Sequence, residues 1–127
     1  MTREEIHALC MTMHGAQETY PFGPVPVCYK LGGRIFAQLY PYAEDFKITL
    51  KCTEETGRTY RMVYPDHVRR GYHCPPVQQP YFITITLDGF PDDELQYLIG
   101  CAYDAVLHSF SRRTQRALLA QAGDEDA

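Results

Sequence analysis

Hydrophobic residues return along this chain at two different intervals, and each change of interval marks an element. Thr2 followed by Glu5 has the form of a capping box, after which Ile6, Leu9, Cys10 and Met13 recur at helical spacing until Gly15 offers a stop. The spacing predicts a helix over 3–14. Tyr20-Pro21-Phe22-Gly23-Pro24 is dense in residues that break regular structure. From Val25 the interval falls to two. Val25, Val27, Tyr29 and Leu31 share one face of a strand over 25–31, and Ile35, Ala37 and Leu39 share one face of a strand over 34–40. Gly32-Gly33 between them can take positive φ twice and predicts a hairpin turn.

The run 46–52 alternates cleanly, with Phe46, Ile48, Leu50 and Cys52 inward and Lys47, Thr49 and Lys51 outward. Thr53 followed by Glu54 and Glu55 reads as an N-cap and an acidic first turn, and Pro65 ends that short helix near Tyr64. A short strand is expected over 71–74, closed by Pro75-Pro76, and a longer one over 81–87, where Tyr81, Ile83, Ile85 and Leu87 oppose Phe82, Thr84 and Thr86. Pro91, then Asp92, Asp93 and Glu94, opens a long helix carried by Leu95, Leu98, Ile99, Ala102, Val106 and Phe110. The order α-β-β-β-α-β-β-α, with strands of alternating polarity, predicts an α+β two-layer sandwich. Its antiparallel or mixed five-stranded sheet carries helices on one face and leaves the other largely wet. Residues 1–111 form a single domain in this reading, and 112–127 form a helical extension with a frayed acidic tail.

At 127 residues, with 45% hydrophobic and 22% charged side chains, the chain is long enough to bury a core without metal or disulfide staples. No apolar run approaches the roughly 20 residues a bilayer requires, and the polar start lacks the apolar stretch of a secretion signal. A cytoplasmic protein with no membrane contact is expected. The five cysteines are odd in number and contain no C-x-x-C pair, so they read as reduced thiols packed as small apolar groups. Paired Cys or His at metal-ligand spacing is missing as well, and no cofactor or metal is expected. His73 and Cys74 are neighbours on a predicted strand and point to opposite faces, which argues against a nucleophile-base couple. No catalytic residue is assigned.

Charge changes the picture more than composition does. The chain carries 12 basic and 16 acidic residues, a formal −4. Segment 30–73 nevertheless holds eight basic residues against five acidic ones, a local +3 inside an acidic protein. With the strand phases above, Lys30, Arg34, Lys47 and Lys51 share the wet face with Phe36, Tyr40 and Phe82, and cations beside exposed rings suit a phosphate backbone and its bases. The bland alternatives are a solvated sheet face or one hidden by a second copy of the chain. Tyr20, Phe22 and Tyr103 read first as packing residues.

Several segments carry a resemblance in their order and spacing. They are Tyr20-Pro21-Phe22-Gly23, Tyr29 with Gly32-Gly33-Arg34-Ile35-Phe36-Ala37, Ile48-Thr49-Leu50-Lys51-Cys52, Tyr64-Pro65, Arg70-Gly71-Tyr72-His73, Leu87-Asp88-Gly89 with Pro91-Asp92-Asp93-Glu94-Leu95, and Ala102-Tyr103-Asp104. Over 7–110 the chain resembles the MmcQ/YjbR family of small bacterial proteins. The resemblance implies an α/β fold of the type shared with secretion chaperones and DNA binding through a double-wing arrangement. By motif, Arg34 stands where the family has a lysine in its hairpin, Lys51 matches the Leu-Lys-Cys strand, and Tyr72 and His73 match the Gly-Tyr-His segment. A family tryptophan is replaced here by Tyr81 or Phe82, and a serine before Tyr103 by Ala102.

The leading expectation is therefore a non-enzymatic module for DNA or another polyanion, with Arg34, Lys47, Lys51, Arg58, Arg61, Arg69 and Arg70 as phosphate contacts and Tyr72 and His73 at the edge. The alternative is a protein-interaction or homodimer module using Phe36, Tyr40 and Phe82. A third reading is a small-molecule protein or enzyme with a pocket near Tyr72, His73 and Tyr103.

Overall fold

Capping and turn chemistry set most element boundaries where the sequence places them. A computed structural model of the chain describes residues 1–71 and 74–126. In chain order the elements are α1 (Arg3–Met11), β1 (Gln17–Thr19), β2 (Val27–Leu31), β3 (Arg34–Pro41), β4 (Phe46–Lys51), α2 (Glu54–Val63), β5 (Val68–Arg70), a short 3-10 turn (Gln79–Tyr81), β6 (Phe82–Thr86), α3 (Asp92–Leu107) and α4 (Arg112–Asp126). The Thr2–Glu5 box closes in both directions, with Thr2 N–H donating to Glu5 Oε1 at 2.8 Å and Glu5 N–H to Thr2 Oγ1 at 3.1 Å. Thr53 Oγ1 caps α2 by accepting from the Thr56 N–H at 3.1 Å. Gly32 and Gly33 sit at φ 58° and 82°, the pair of positive values that a two-residue hairpin of matching twist demands. A Cβ on Gly32 would also lie 2.8 Å from Phe110 Cζ, so packing and backbone both require glycine there.

The sheet has six strands in the order β1-β2-β3-β4-β6-β5, every neighbouring pair antiparallel. This corrects the five-stranded expectation. β1 escaped because Gln17-Glu18-Thr19 has no apolar alternation; as an edge strand it pairs only with β2. The strand expected over 71–74 lies instead at Val68–Arg70, and the part of that expectation on Tyr72 and His73 falls outside the described residues. α3 packs against β2, β3 and β4, while α2 lies beside β5 and β6 with Gly57 close to Ile83 of the same core face. Ile6, Tyr29, Leu31, Leu39, Ile48, Leu50, Ile83, Ile85, Leu95 and Ile99 fill the core between the two layers. No described helix is long and apolar enough to cross a membrane.

One irregularity reassigns the faces of β3. Tyr29 opposes Ala37, but the next residue, Lys30, opposes Ile35, so Phe36 is an extra residue without a partner, a β-bulge. Phe36 and Ala37 are consequently both fully buried, whereas Ile35 turns to the helix-free face. The expectation that Phe36 lies on a wet face is overturned, because the inserted residue reverses the two-residue phase that the alternation assumed. Tyr40 is buried too, against its expected exposure, while Phe22 is 66% exposed although aromatic residues usually pack.

Phe36→Ala is expected to cost about 3–5 kcal/mol of unfolding free energy in a urea titration. Phe22→Ala should stay within about 0.5 kcal/mol.

Candidate binding groove on the open sheet face

Residues whose side chains leave the core alternate across the second face of the sheet: Lys30 on β2, Ile35, Gln38 and Tyr40 on β3, Lys47, Thr49 and Lys51 on β4, Phe82 and Thr84 on β6, and Arg69 on β5. No described helix covers this face, yet its centre is buried. Thr49 and Thr84 are almost wholly enclosed and share a hydroxyl hydrogen bond of 2.8 Å.

Two cavities flank that centre. The first, about 450 Å³, is lined by Lys30, Arg34, Lys51, Gln78, Tyr81 and Ser109 among others. The second, about 540 Å³, lies between segments 22–26 and 74–78 and is lined by Phe22, Pro26, Gln38, Tyr40, Tyr42 and Pro75 among others. Both include Ile35, Gln78 and Phe82 in their walls, so the two cavities adjoin, and we call them the two arms of a groove. The first arm is cationic; among the described residues the second contains no ionisable acid or base besides tyrosine and cysteine.

The structure separates the seven proposed phosphate contacts. Arg34 and Lys51 come together, joined by Lys30. Arg34 Nη1 donates to the Ser109 carbonyl at 3.1 Å and to Ser109 Oγ at 2.8 Å, with its guanidinium 4.1 Å from the Phe110 ring centre. That anchorage ties the hairpin tip to the end of α3. Lys51 Nζ stands 4.8 Å from the Phe82 ring centre and 5.5 Å from that of Tyr81, a cation–π position in the wall of the first cavity. Among the described residues, no carboxylate lies within salt-bridge distance of Lys30, Arg34 or Lys51.

Lys47 does not serve as a surface contact. It is 3% exposed, ion-paired with Asp45 and 5.4 Å from the Tyr40 ring centre. Its expected role is overturned by burial: a charge taken out of water needs a partner and keeps it. Arg58 and Arg61 are carried by α2, away from the groove; Arg58 pairs with Glu54 one turn back at 3.4 Å. Arg61 Nη1 is buried near the Gly57 backbone with no hydrogen-bond partner. Arg69 faces the groove side opposite Thr84, and Arg70, opposite Ile83, faces the other way. Tyr72 and His73 fall outside the described residues, although Cys74 beside them lines the apolar arm. Tyr103 is spent in the core, edge-on to Phe36 at 5.7 Å with its hydroxyl donating to the His14 carbonyl.

The sequence reading placed Lys30 on the wet face but not among the phosphate contacts, and it missed Ile35, Gln38 and Gln78 as wall residues. Ile35 had no legible signal, because the bulge that turns it outward leaves no mark in the alternation.

A model of the YjbR family matches residues 11–105. The chain belongs to the YjbR family. A Deinococcus radiodurans protein with a DUF419 domain is similar in structure, with 25% identity, a TM-score of 0.82, and coverage of 96% of this chain and 88% of that one. A protein from Pseudomonas syringae shares the fold at 17% identity, with a TM-score of 0.68 and coverage of 84% and 99%. No curated protein matches in sequence.

In this YjbR-family chain a smaller cavity of about 280 Å³ opens at the α1 edge, where His7 Nδ1 meets the Tyr29 hydroxyl at 2.8 Å and His7 Nε2 stands 3.7 Å from Glu18. Tyr20 donates to the same carboxylate. These contacts join α1, β1 and β2, and burial pushes the Tyr29 hydroxyl above its ordinary range, so it stays protonated. Cys10, Cys28, Cys52, Cys74 and Cys101 are all free thiols. Burial pushes Cys10 up to about 12 and Cys52 up to about 11, which makes them poor nucleophiles.

The raised thiols fix a sign for alkaline stability. Above pH 9 the unfolded chain releases thiol protons that the folded chain retains, so it binds fewer protons and unfolding is favoured. Unfolding free energy should hold steady from pH 6 to 8 and fall from about pH 9 towards 12; Cys10→Ala should flatten that fall in pH-resolved urea titrations.

Proposed function

We propose that this YjbR-family chain is a cytoplasmic, non-enzymatic module that binds DNA or another polyanion at the groove on its open sheet face. The observation that carries the reading is the convergence of Lys30, Arg34 and Lys51 on one cavity with no carboxylate of the described residues in salt-bridge range. Three unneutralised cations within an acidic protein form a local positive potential, and a polyanion is the ligand that gains most from it. Adjacent rings at Tyr81 and Phe82 supply the apolar contact that bases favour. The double-wing mode implied by family resemblance is compatible with contact at the β2–β3 hairpin, which carries Lys30 and Arg34. The reading is of a binding module because the best-buried thiols are held protonated and Tyr103 is engaged in packing.

A second reading, a protein partner or a second copy, is favoured by the exposed Phe22, Tyr42, Val77 and Tyr81 around the groove. It shows as mass that rises with concentration and is insensitive to salt.

Anisotropy of a labelled oligonucleotide between 50 and 200 mM salt tests the leading reading. With three phosphate contacts, log affinity should fall against log salt with slope about −3 for a duplex and about −2 for a single strand. Lys30→Gln with Lys51→Gln should remove about two thirds of that slope, while Arg58→Gln leaves it unchanged. Absence of binding at 50 mM salt ends the reading.

A further inference from the structure

The two arms of the groove differ in chemistry, and together they describe a ligand more specific than a charged rod. We propose that the groove holds a single nucleotide unit, its phosphate against Lys30, Arg34 and Lys51 and its unpaired base in the apolar arm. This rests on the polyanion reading and narrows it to nucleic acid whose bases are not paired.

Three observations carry it. The arms share Ile35, Gln78 and Phe82 as walls, so one molecule can set an anionic group in one and a planar body in the other. The apolar arm, about 540 Å³, has the volume of a small-molecule site, and among the described residues its walls hold no cation and no carboxylate; Phe22, Tyr40, Tyr42 and Phe82 offer rings instead. It is not featureless apolar space either. Gln38 and Gln78 each bring a carboxamide, a donor and an acceptor side by side, which is the complement of a base edge. A lipid tail or an apolar peptide side chain has no use for two carboxamides, and an anion such as inorganic phosphate has no use for the rings.

The shape of the groove decides between paired and unpaired nucleic acid. The apolar arm lies between segments 22–26 and 74–78, and a duplex presents a convex surface with its bases stacked inside. Only a base that has left the stack, or was never in one, reaches the rings.

Calorimetry on the full chain separates the outcomes. The probes are a single-stranded decamer, the same strand carrying abasic sites, a blunt duplex of that sequence, a nucleoside monophosphate, its nucleoside and inorganic phosphate. The single strand should bind about tenfold tighter than both the abasic strand and the duplex. The monophosphate should outbind both the nucleoside and inorganic phosphate; if its affinity matches that of the strand, the ligand is a free nucleotide, and if it falls well below, a strand. Ile35→Trp, which fills the junction without removing a cation, should abolish the preference for unpaired bases while leaving the salt slope for duplex equal to that of the unsubstituted chain; Gln78→Ala, on an exposed turn, is a second variant should Ile35→Trp fail to fold. Equal binding of duplex, abasic and intact strand overturns the nucleotide site and leaves the polyanion reading standing. No binding of any nucleic acid overturns both.

Discussion

The extra residue in β3 governs what this sheet offers to solvent. By placing Phe36 and Ala37 together in the core, the bulge gives α3 a continuous apolar surface to pack on, with Phe36 meeting Tyr29 at 6.4 Å and Tyr103 edge-on at 5.7 Å. The same insertion sends Ile35 to the opposite face, where it becomes the shared wall of the two arms. Core packing and groove shape therefore depend on one backbone irregularity. Removing it would expose a phenyl ring and close the groove in the same step.

Antiparallel sheets with helices on one side normally leave the other side wet. Here the middle of that side is buried while its two flanks are open. Thr49 and Thr84 answer each other across β4 and β6, which satisfies hydroxyls that burial would otherwise leave costly. Lys47, farther along β4, is enclosed with Asp45 and against the Tyr40 ring, whereas Lys51, at the end of the same strand and on the same face, lies beside Phe82 without a carboxylate. Identical residue type, identical strand and identical phase give opposite electrostatic outcomes. One cation is neutralised as part of the architecture; the other has no carboxylate partner among the described residues.

Arg34 joins these two themes. Its contacts with Ser109 and Phe110 hold the hairpin tip against the end of α3, and its position in the cationic arm keeps positive charge at the groove mouth. A lysine at that position, as the resembling family has, would supply the charge without the planar guanidinium that lies over Phe110. Gly32, pressed against the same Phe110 ring, allows the approach. The cationic arm is thus built from the hairpin, the end of β4 and the end of α3, three parts of the chain far apart in sequence.

Local chemistry was legible in the sequence because it acts over a few residues. Thr2 and Glu5 announced α1, Thr53 announced α2, Pro91 with its acids announced α3, and Gly32-Gly33 announced the hairpin; the α+β class and the YjbR resemblance followed from their order. β1 left no such signal, since its three polar residues form an edge strand through backbone pairing with β2 and have no apolar alternation of their own. The side on which Phe36 and Ile35 point was settled by register with β2, a contact between strands that no alternation within β3 encodes. Which cations stay free was settled later still, by distances between side chains brought together only on folding: Lys47 found Asp45, Arg58 found Glu54, and Lys30, Arg34 and Lys51 found one another around a cavity. Sequence determines the elements and the supply of charge; tertiary structure determines where that charge is left unpaired, because Coulomb interactions depend on separation in space and not along the chain.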